Sequence, residues 1–281
     1  HGLGNDFVVI DARTGKPGAG VAISAAQASA IADRRTGVGC DQFIIIGDAP
    51  GGEANEGVDA FMRIRNADGG EVDACGNATR CIGAVLLDES GKDTVLIRTG
   101  ADLLTVTRAG YGLVTVDMGV ARVGWDEIPL SAEADTLHLD LSRGPLSDPA
   151  AASMGNPHAT FFVDDAEAVA IAEYGPGLEH DPIFPERANI GVAQILAPDR
   201  MRLRVWERGV GLTSACGTGA CAAVVNAHRR GLAGRRMVVV VDGGELLIDW
   251  REDRPGGAGR VFMTGPAETS FSGALTLGVL S

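Results

Sequence analysis

Histidine and cysteine are scarce in this 281-residue chain, at five each, and no CxxC pair occurs. Scattered His and unpaired Cys spacing leave no ligand set for a zinc site, so no metal is expected. Five cysteines is also an odd count, at low density, which speaks against a disulfide framework and for a reducing cytoplasm. Basic residues are outnumbered, 24 Lys and Arg against 37 Asp and Glu. That balance excludes a large nucleic-acid footprint, which needs clustered positive charge. No apolar run approaches the ~20 residues of a membrane span. The longest, "FIIIG" and "MVVVVDG", read as buried strands. The opening "HGLGNDFVVID" has no basic and apolar leader, and it has no initiator Met, so further residues upstream are expected.

What the chain has in quantity is glycine, 40 residues, and 45% hydrophobic content, enough for two cores of ordinary domain size. Turn signals recur every eight to twelve residues. Between them lie short runs rich in Val, Ile, Leu and Thr that read as strands. "DFVVID", "DQFIIIG", "AFMRIRN", "TVLIRTG", "LLTVTRAG" and "GLVTVDMG" occupy the first half. "ATFFVDD", "NIGVAQIL", "MRLRVWERG", "MVVVVDGG", "ELLIDWRED" and "RVFMTGPA" occupy the second. Helical patterns are fewer: "SAAQASAIADRR" with Ser24 as N-cap, "DDAEAVAIAEYGPGLEHD" with acidic residues in its first turn, "NATRCIGAVLLDESG" and "GACAAVVNAHRRG". "GPLSDPAAASMG" and "REDRPGGAG" read as loops.

One element occurs twice. Arg63 begins "RIRNADGGEVDACGN" and Arg204 begins "RVWERGVGLTSACGTG"; each reaches an Ala-Cys-Gly whose cysteine is twelve residues on. The two cysteines, Cys75 and Cys216, are 216 − 75 = 141 residues apart. Each precedes a nearly all-apolar helical run, Cys81–Leu87 and Ala220–Ala227, and a helix apolar on all sides must be enclosed. These features predict an α+β chain of two similar halves related by a pseudo-twofold. Each half is expected to be a curved, barrel-like mixed sheet around a central buried helix. The predicted halves are residues 1–119, to which the tail 266–281 returns, and residues 120–265.

A cysteine at a helix entrance meets unpaired first-turn N–H groups and the positive end of the dipole. That predicts a lowered thiol pKa and a binding place for a carboxylate. The following Gly76 and Gly217 let backbone approach a ligand. Two such entrances facing one cleft would set a thiolate and a thiol on opposite faces of a single α-carbon. That pair could remove a proton from one face and return one to the other, which is racemisation or epimerisation without a cofactor. An isolated cysteine is ordinarily a buried, inert residue. Cys40, Cys81 and Cys221 are read that way, whereas the matched context of Cys75 and Cys216 reverses that reading.

The ordered blocks "HGLGNDFVVID", "GVGCDQ", "RIRNADGGEVDACGN", "GNPHATFFV", "ERANIGVAQI" and "WERGVGLTSACGTGACA" resemble the diaminopimelate epimerase family over nearly the whole length. The resemblance implies interconversion of LL- and meso-diaminopimelate for lysine and peptidoglycan precursors, with no cofactor, in a cytoplasmic homodimer. It implies Cys75 and Cys216 as the acid–base pair. Gly76, Asn77, Gly217 and Thr218 would supply helix-start donors to the reacting carboxylate, and Asn5 and Gln42 would line the same cleft. Asn66, Asn156, Asn189 and Arg208 would hold the far end, Arg208 through its planar fork. Glu207 and His158 would orient the amino groups and tune the thiols. An Asn is otherwise most often a turn residue, and a lone His is most often structural. Two features depart from the family pattern: Ala-Thr in "CGNATRC" where many relatives have Gly-Ala, and no short strand before "HGLGND". Three other readings share parts of this pattern. A proline racemase would leave Arg208 without a purpose, a non-catalytic binding protein would use the cysteines for packing, and a thiol hydrolase would need one Cys and a His.

Overall fold

The computed structural model describes residues 1–72, 75–110, 112–252 and 259–275. The chain divides into two compact units: His1–Val116 together with the chain from Pro266 onward, and Asp117–Gly265. Of the tail, residues 276–281 lie outside the described residues, as do residues 253–258 of "REDRPGGAG". Both units are mixed α+β, and most of the strands belong to a large mixed sheet.

The first unit contains β1 (Phe7–Asp11), α1 (Ala25–Ala32), β2 (Gln42–Gly47), β3 (Ala60–Asn66), β4 (Glu71–Val72), α2 (Gly76–Ser90), β5 (Thr94–Arg98), β6 (Leu103–Gly110) and β7 (Leu113–Val120), whose last residues pass into the second unit. β1 pairs parallel with β2, β2 antiparallel with β3, β3 parallel with β5, and β5–β6–β7 form an antiparallel meander. The continuous apolar run of β2 follows from burial on both faces. Phe43 and Ile45 pack with Ala28 and Ile31 of α1, and Ile44 and Ile46, also buried, point the other way. α1 begins where the capping pattern predicts: Ser24 Oγ accepts from Gln27 N–H, and Gln27 Oε1 accepts from Ser24 N–H. α2 ends at Gly91, which adopts the left-handed conformation favoured there, with φ 67°.

The second unit contains β8 (Ser142–Arg143), β9 (Leu146–Ser147), β10 (Ala150–Ser153), β11 (Pro157–Phe162), α3 (Ile171–Glu179), β12 (Asn189–Ala197), β13 (Arg200–Glu207), β14 (Gly211–Thr213), α4 (Gly217–Arg229), β15 (Arg236–Val241), β16 (Gly244–Arg251) and β17 (Arg260–Pro266), whose last residue belongs to the first unit. β11 pairs parallel with β12, β12 antiparallel with β13, β13 parallel with β15, and β15–β16–β17 form an antiparallel meander. This is the same succession of pairings as in the first unit. In both, a two- or three-residue strand, β4 or β14, pairs antiparallel with the preceding strand just before the helix that follows the repeated cysteine.

Three sequence expectations need correction. The segment "GPLSDPAAASMG" is not all loop: Ala150–Ser153 is fully buried and pairs with β11, because α4 packs on it. The helix expected from Asp164 begins only at Ile171, since the Asp165 carboxylate accepts the N–H groups of Glu167 and Ala168 in a turn. The run Cys81–Leu87 predicts a helix covered on every side, yet α2 packs mainly on β5 and β6 and leaves Val85 39% exposed. α4 does meet the expectation: Gly219 through Ala227 are all buried, against β10, β11, β12, β13, β15 and β16.

Candidate active site

In the first unit the residues around Cys75 are amides. "GLGN" forms a tight turn, with Gly2 N–H donating to Asn5 O at 3.0 Å and with Leu3 and Gly4 both at positive φ. A left-handed Leu is a strained conformation that persists only where the surroundings enforce it, and here it delivers Asn5. Asn5 Nδ2 donates to Asp41 Oδ2 at 2.9 Å. Its Oδ1 accepts from Asn77 Nδ2 at 3.3 Å and faces Cys75 Sγ at 4.0 Å. Asn77 Oδ1 accepts in turn from Nη1 of the buried Arg80 at 3.0 Å. Cys75 stands at the N-cap of α2 in extended conformation, and its carbonyl accepts from Thr79 N–H and Oγ1–H, each at 2.9 Å. Gly76 opens the helix. Gln42 and Asn66 are register partners at the ends of β2 and β3, joined by Gln42 Nε2 to Asn66 Oδ1 at 3.1 Å. Gln42 Oε1 is buried and accepts no hydrogen bond among the described residues.

In the second unit the predicted residues form hydrogen-bonded sets around Cys216, Arg208 and Glu207. Cys216, 5% exposed, caps α4 with its own sulfur: Gly219 N–H donates to Sγ at 3.3 Å. Thr218 Oγ1 lies 3.6 Å from that sulfur and accepts from Asn156 Nδ2 at 3.4 Å. Asn156 Oδ1 is 3.0 Å from His158 Nε2, so the amide oxygen selects the Nε2–H tautomer of a neutral imidazole. His158 is 2% exposed, and its burial, with the Arg208 guanidinium second, pushes its pKa down to about 3. Asn189 Nδ2 donates to Pro157 O at 2.9 Å, and its Oδ1 accepts Arg208 N–H at 3.0 Å. Arg208 Nη1 donates to Glu186 O at 2.9 Å, and Glu207 Oε1 accepts from Thr213 Oγ1 at 2.6 Å. Gly217 is the first residue of α4.

The helix entrance does not lower the Cys216 thiol. Its pKa lies well above the ordinary value, because burial and then the charge of Glu207 outweigh the stabilising contacts from Thr218 and Gly219. The local dipole acts in the predicted direction; the enclosing protein and one acid override it. Burial likewise raises the thiols of Cys40, Cys81 and Cys221, which suits inert core residues. All five cysteines are free thiols. Among the described residues no cluster of three or more His, Cys, Asp or Glu is placed to hold a metal ion, and no helix is long and apolar enough to cross a membrane.

Sequence reasoning missed the supports. Asp41 orients Asn5, Thr213 holds Glu207, and Arg80 braces Asn77. Asp41 and Thr213 stand within the recognised blocks "GVGCDQ" and "WERGVGLTSACGTGACA", the one signal that could have drawn attention to them, and Arg80 lies three residues beyond the block that ends at Asn77. Thr213 lies in the repeated element but has no counterpart role in the first copy.

A family model described as diaminopimelate epimerase matches residues 1–124 and 150–270. A diaminopimelate epimerase from Acidiphilium cryptum is 56% identical over 281 residues, covering 100% of this chain and 96% of its own. One from Rhodospirillum centenum is 53% identical, covering 98% and 90%. Among solved structures, a PhzF-family phenazine biosynthesis protein from Bacillus anthracis has a TM-score of 0.63 at 18% identity, covering 94% of this chain and 91% of that one. A probable proline racemase from Agrobacterium radiobacter with bound carbonate has a TM-score of 0.63 at 17% identity, covering 95% and 88%. At these identities the two structures share the fold.

Proposed function

The chain belongs to the diaminopimelate epimerase family, with diaminopimelate epimerisation in lysine biosynthesis as its activity, and we propose that it works by two-base proton transfer between the thiols of Cys75 and Cys216. One sulfur, as thiolate, removes the α-proton of the substrate. The other, as thiol, delivers a proton to the opposite face, and the roles exchange in the reverse reaction. The helix-start N–H groups around Gly76, Asn77, Gly217 and Thr218 receive the reacting carboxylate, so charge developing at Cα is met by fixed donors instead of a cofactor. Arg208, with Asn66, Asn156 and Asn189, grips the distal end, and Asn5 and Gln42 complete the lining. The buried Gln42 Oε1 is an acceptor suited to an ammonium group. His158 stays neutral and holds Asn156 as a donor toward Thr218, while Glu207 tunes Cys216.

The observation that carries this reading is the connected set Cys216–Thr218–Asn156–His158 at the start of an enclosed helix. The second support is the same strand–turn–strand–helix succession leading to Cys75 in the other unit, with Asn5 beside its sulfur and Asn77 bonded to Asn5. The matching order of strand pairings supports two duplicated halves. The family likeness extends the proposal to a cytoplasmic homodimer that also supplies a peptidoglycan precursor.

The test is deuterium wash-in. LL-diaminopimelate in D₂O is expected to label at Cα and to convert to the meso isomer. Cys75→Ala and Cys216→Ala should each lower turnover by at least ~10²-fold, the low end of general acid–base contributions. Label appearing in L-proline alone, or a Cys→Ala variant that turns over like the parent, would overturn the reading.

A further inference from the structure

Arg208 sits on a turn that a buried acid holds from behind. The turn is closed by Val210 N–H donating to Glu207 O at 3.1 Å, and Gly209 takes φ 74° within it. Glu179, the last residue of α3, is 3% exposed. Its Oε1 accepts Gly209 N–H at 2.9 Å and its Oε2 accepts Trp206 Nε1–H at 2.8 Å. Arg187 Nη1 lies 3.9 Å from Oε1. A carboxylate at the C-terminal end of a helix opposes the dipole, and its burial is costly unless donors satisfy it. This arrangement therefore needs a reason beyond the stability of α3.

The chemistry of the two anchors is selective. Backbone N–H and indole N–H are donors only, so the side chain between them must accept at both ends. A carboxylate does so. The isosteric amide of Gln turns an NH₂ against one of the two donors. α3 also lies flush on the same tryptophan: a Cβ on Gly175 would stand 2.6 Å from Trp206 Cγ. Helix, indole and turn are thus one packed assembly, and Arg208 projects from it.

We propose that Glu179 is a positioning residue that fixes the Arg208 turn and thereby sets affinity for a substrate with a distal carboxylate. This rests on the reading of Arg208 given above. Glu207, on the same turn, is anchored by Thr213, and Arg208 is held at its N–H by Asn189 and at Nη1 by Glu186. Glu179 adds the hold on Gly209 that sets the turn's place, so its loss displaces Arg208 and is read in KM more than in kcat.

The experiment measures kcat and KM for LL-diaminopimelate in the full-length parent, Glu179→Gln, Arg208→Ala and the double variant, with melting temperature recorded for each. Glu179→Gln is expected to lower kcat/KM about 10- to 100-fold, the range for hydrogen bonds to a charged group, mostly through KM. On the Arg208→Ala background the same change should lower kcat/KM less than about threefold, because the two residues act through one contact. Adding Trp206→Phe to Glu179→Gln removes one donor and should restore part of the affinity. Should Glu179→Gln not fold, Trp206→Phe alone takes its place in the cycle, with KM expected to rise about 2- to 10-fold. An unmoved KM, or losses that multiply in full across the cycle, would overturn the role of Glu179 while leaving the epimerase reading intact. A parent protein that does not turn over LL-diaminopimelate would overturn both.

Discussion

Gly219→Ala probes how finely the Cys216 sulfur is placed. Gly219 is the third residue of α4, outside the left-handed region, so alanine fits the backbone and adds ~1 kcal/mol of helix propensity. The new Cβ would stand 3.1 Å from Cys216 Sγ, 3.1 Å from Val205 Cγ2 and 3.3 Å from Cys216 Cβ. Comfortable carbon contacts begin near ~3.5 Å, so each neighbour must yield by a few tenths of an ångström. Overpacking of this kind costs ~1–3 kcal/mol, and after the propensity gain the net loss is ~0–2 kcal/mol, a shift of a few degrees in Tm. Val205 is fixed in β13 between two paired strands, whereas the sulfur is held by the softer Gly219 N–H and Thr218 contacts, so most of the movement falls on the sulfur. A misplacement of ~1 Å costs ~10²-fold in a positioned reaction; scaled to ~0.3 Å this gives about fourfold. Gly219→Ala should therefore lower kcat about 3- to 10-fold with KM nearly unchanged, read by deuterium wash-in beside a thermal melt. A kcat within twofold of the parent would show that the sulfur's position does not limit proton transfer.

Two further outcomes follow from the same structure. A Cβ on Gly83 of α2 would meet Val106 Cγ1 at 2.3 Å and Cβ at 2.9 Å, so Gly83→Ala should destabilise by ~1–3 kcal/mol in chemical denaturation. Val106→Ala added to it should recover part of that loss, and additive losses would refute the contact. His158 has its folded pKa pushed down to about 3 from an ordinary 6.5, so the folded state favours the neutral ring. Its contribution is whole above about pH 6.5 and is lost as pH falls toward 3, at ~1.4 kcal/mol per pH unit and ~5 kcal/mol in total. Stability of the parent should therefore fall more steeply with acid than that of His158→Gln. Equal slopes between pH 6.5 and 3.5 would show that the imidazole does not stay neutral.

What the sequence made legible was the periodic and the duplicated. Runs such as "QFIIIG" and "RMVVVV" declare strands because both faces, or alternate residues, are buried. The twin Cys-Gly elements mark helix entrances because glycine and an apolar run follow each. Alanine obscured β10: Ala150–Ser153 has no β-branched or aromatic residue and is flanked by turn formers, so its strand state comes only from the helix and strand that cover it. The ionisation of Cys216 was illegible for a related reason. The dipole is a local property of Cys-Gly-Thr-Gly, whereas burial and Glu207 come from the folded unit. Glu179 was harder still, since a lone Glu at the end of a helix reads as solvated, and its two donors lie 27 and 30 residues away.

The two cysteines occupy matching places in chemically different surroundings. β1 pairs with β2 through Phe7 and Gln42, and β11 pairs with β12 through His158 and Asn189. Phe7 and His158 are thus counterparts in register, as are Gln42 and Asn189. Nine residues before each cysteine (75 − 66 and 216 − 207) stand Asn66 and Glu207, at the ends of β3 and β13. A neutral amide in one unit is therefore an acid in the other, and a phenyl ring is an imidazole. Glu207 is the difference that reaches the sulfur, for its charge and the burial around it keep the proton on Cys216. Both units repeat the strand order and the helix entrance, and they differ at Asn66/Glu207 and Phe7/His158. On the proposed two-base reading Glu207 assigns the resting proton to Cys216: two like thiols close together could also share a single proton through charge repulsion, as paired carboxylates do, and the acid selects which sulfur holds it.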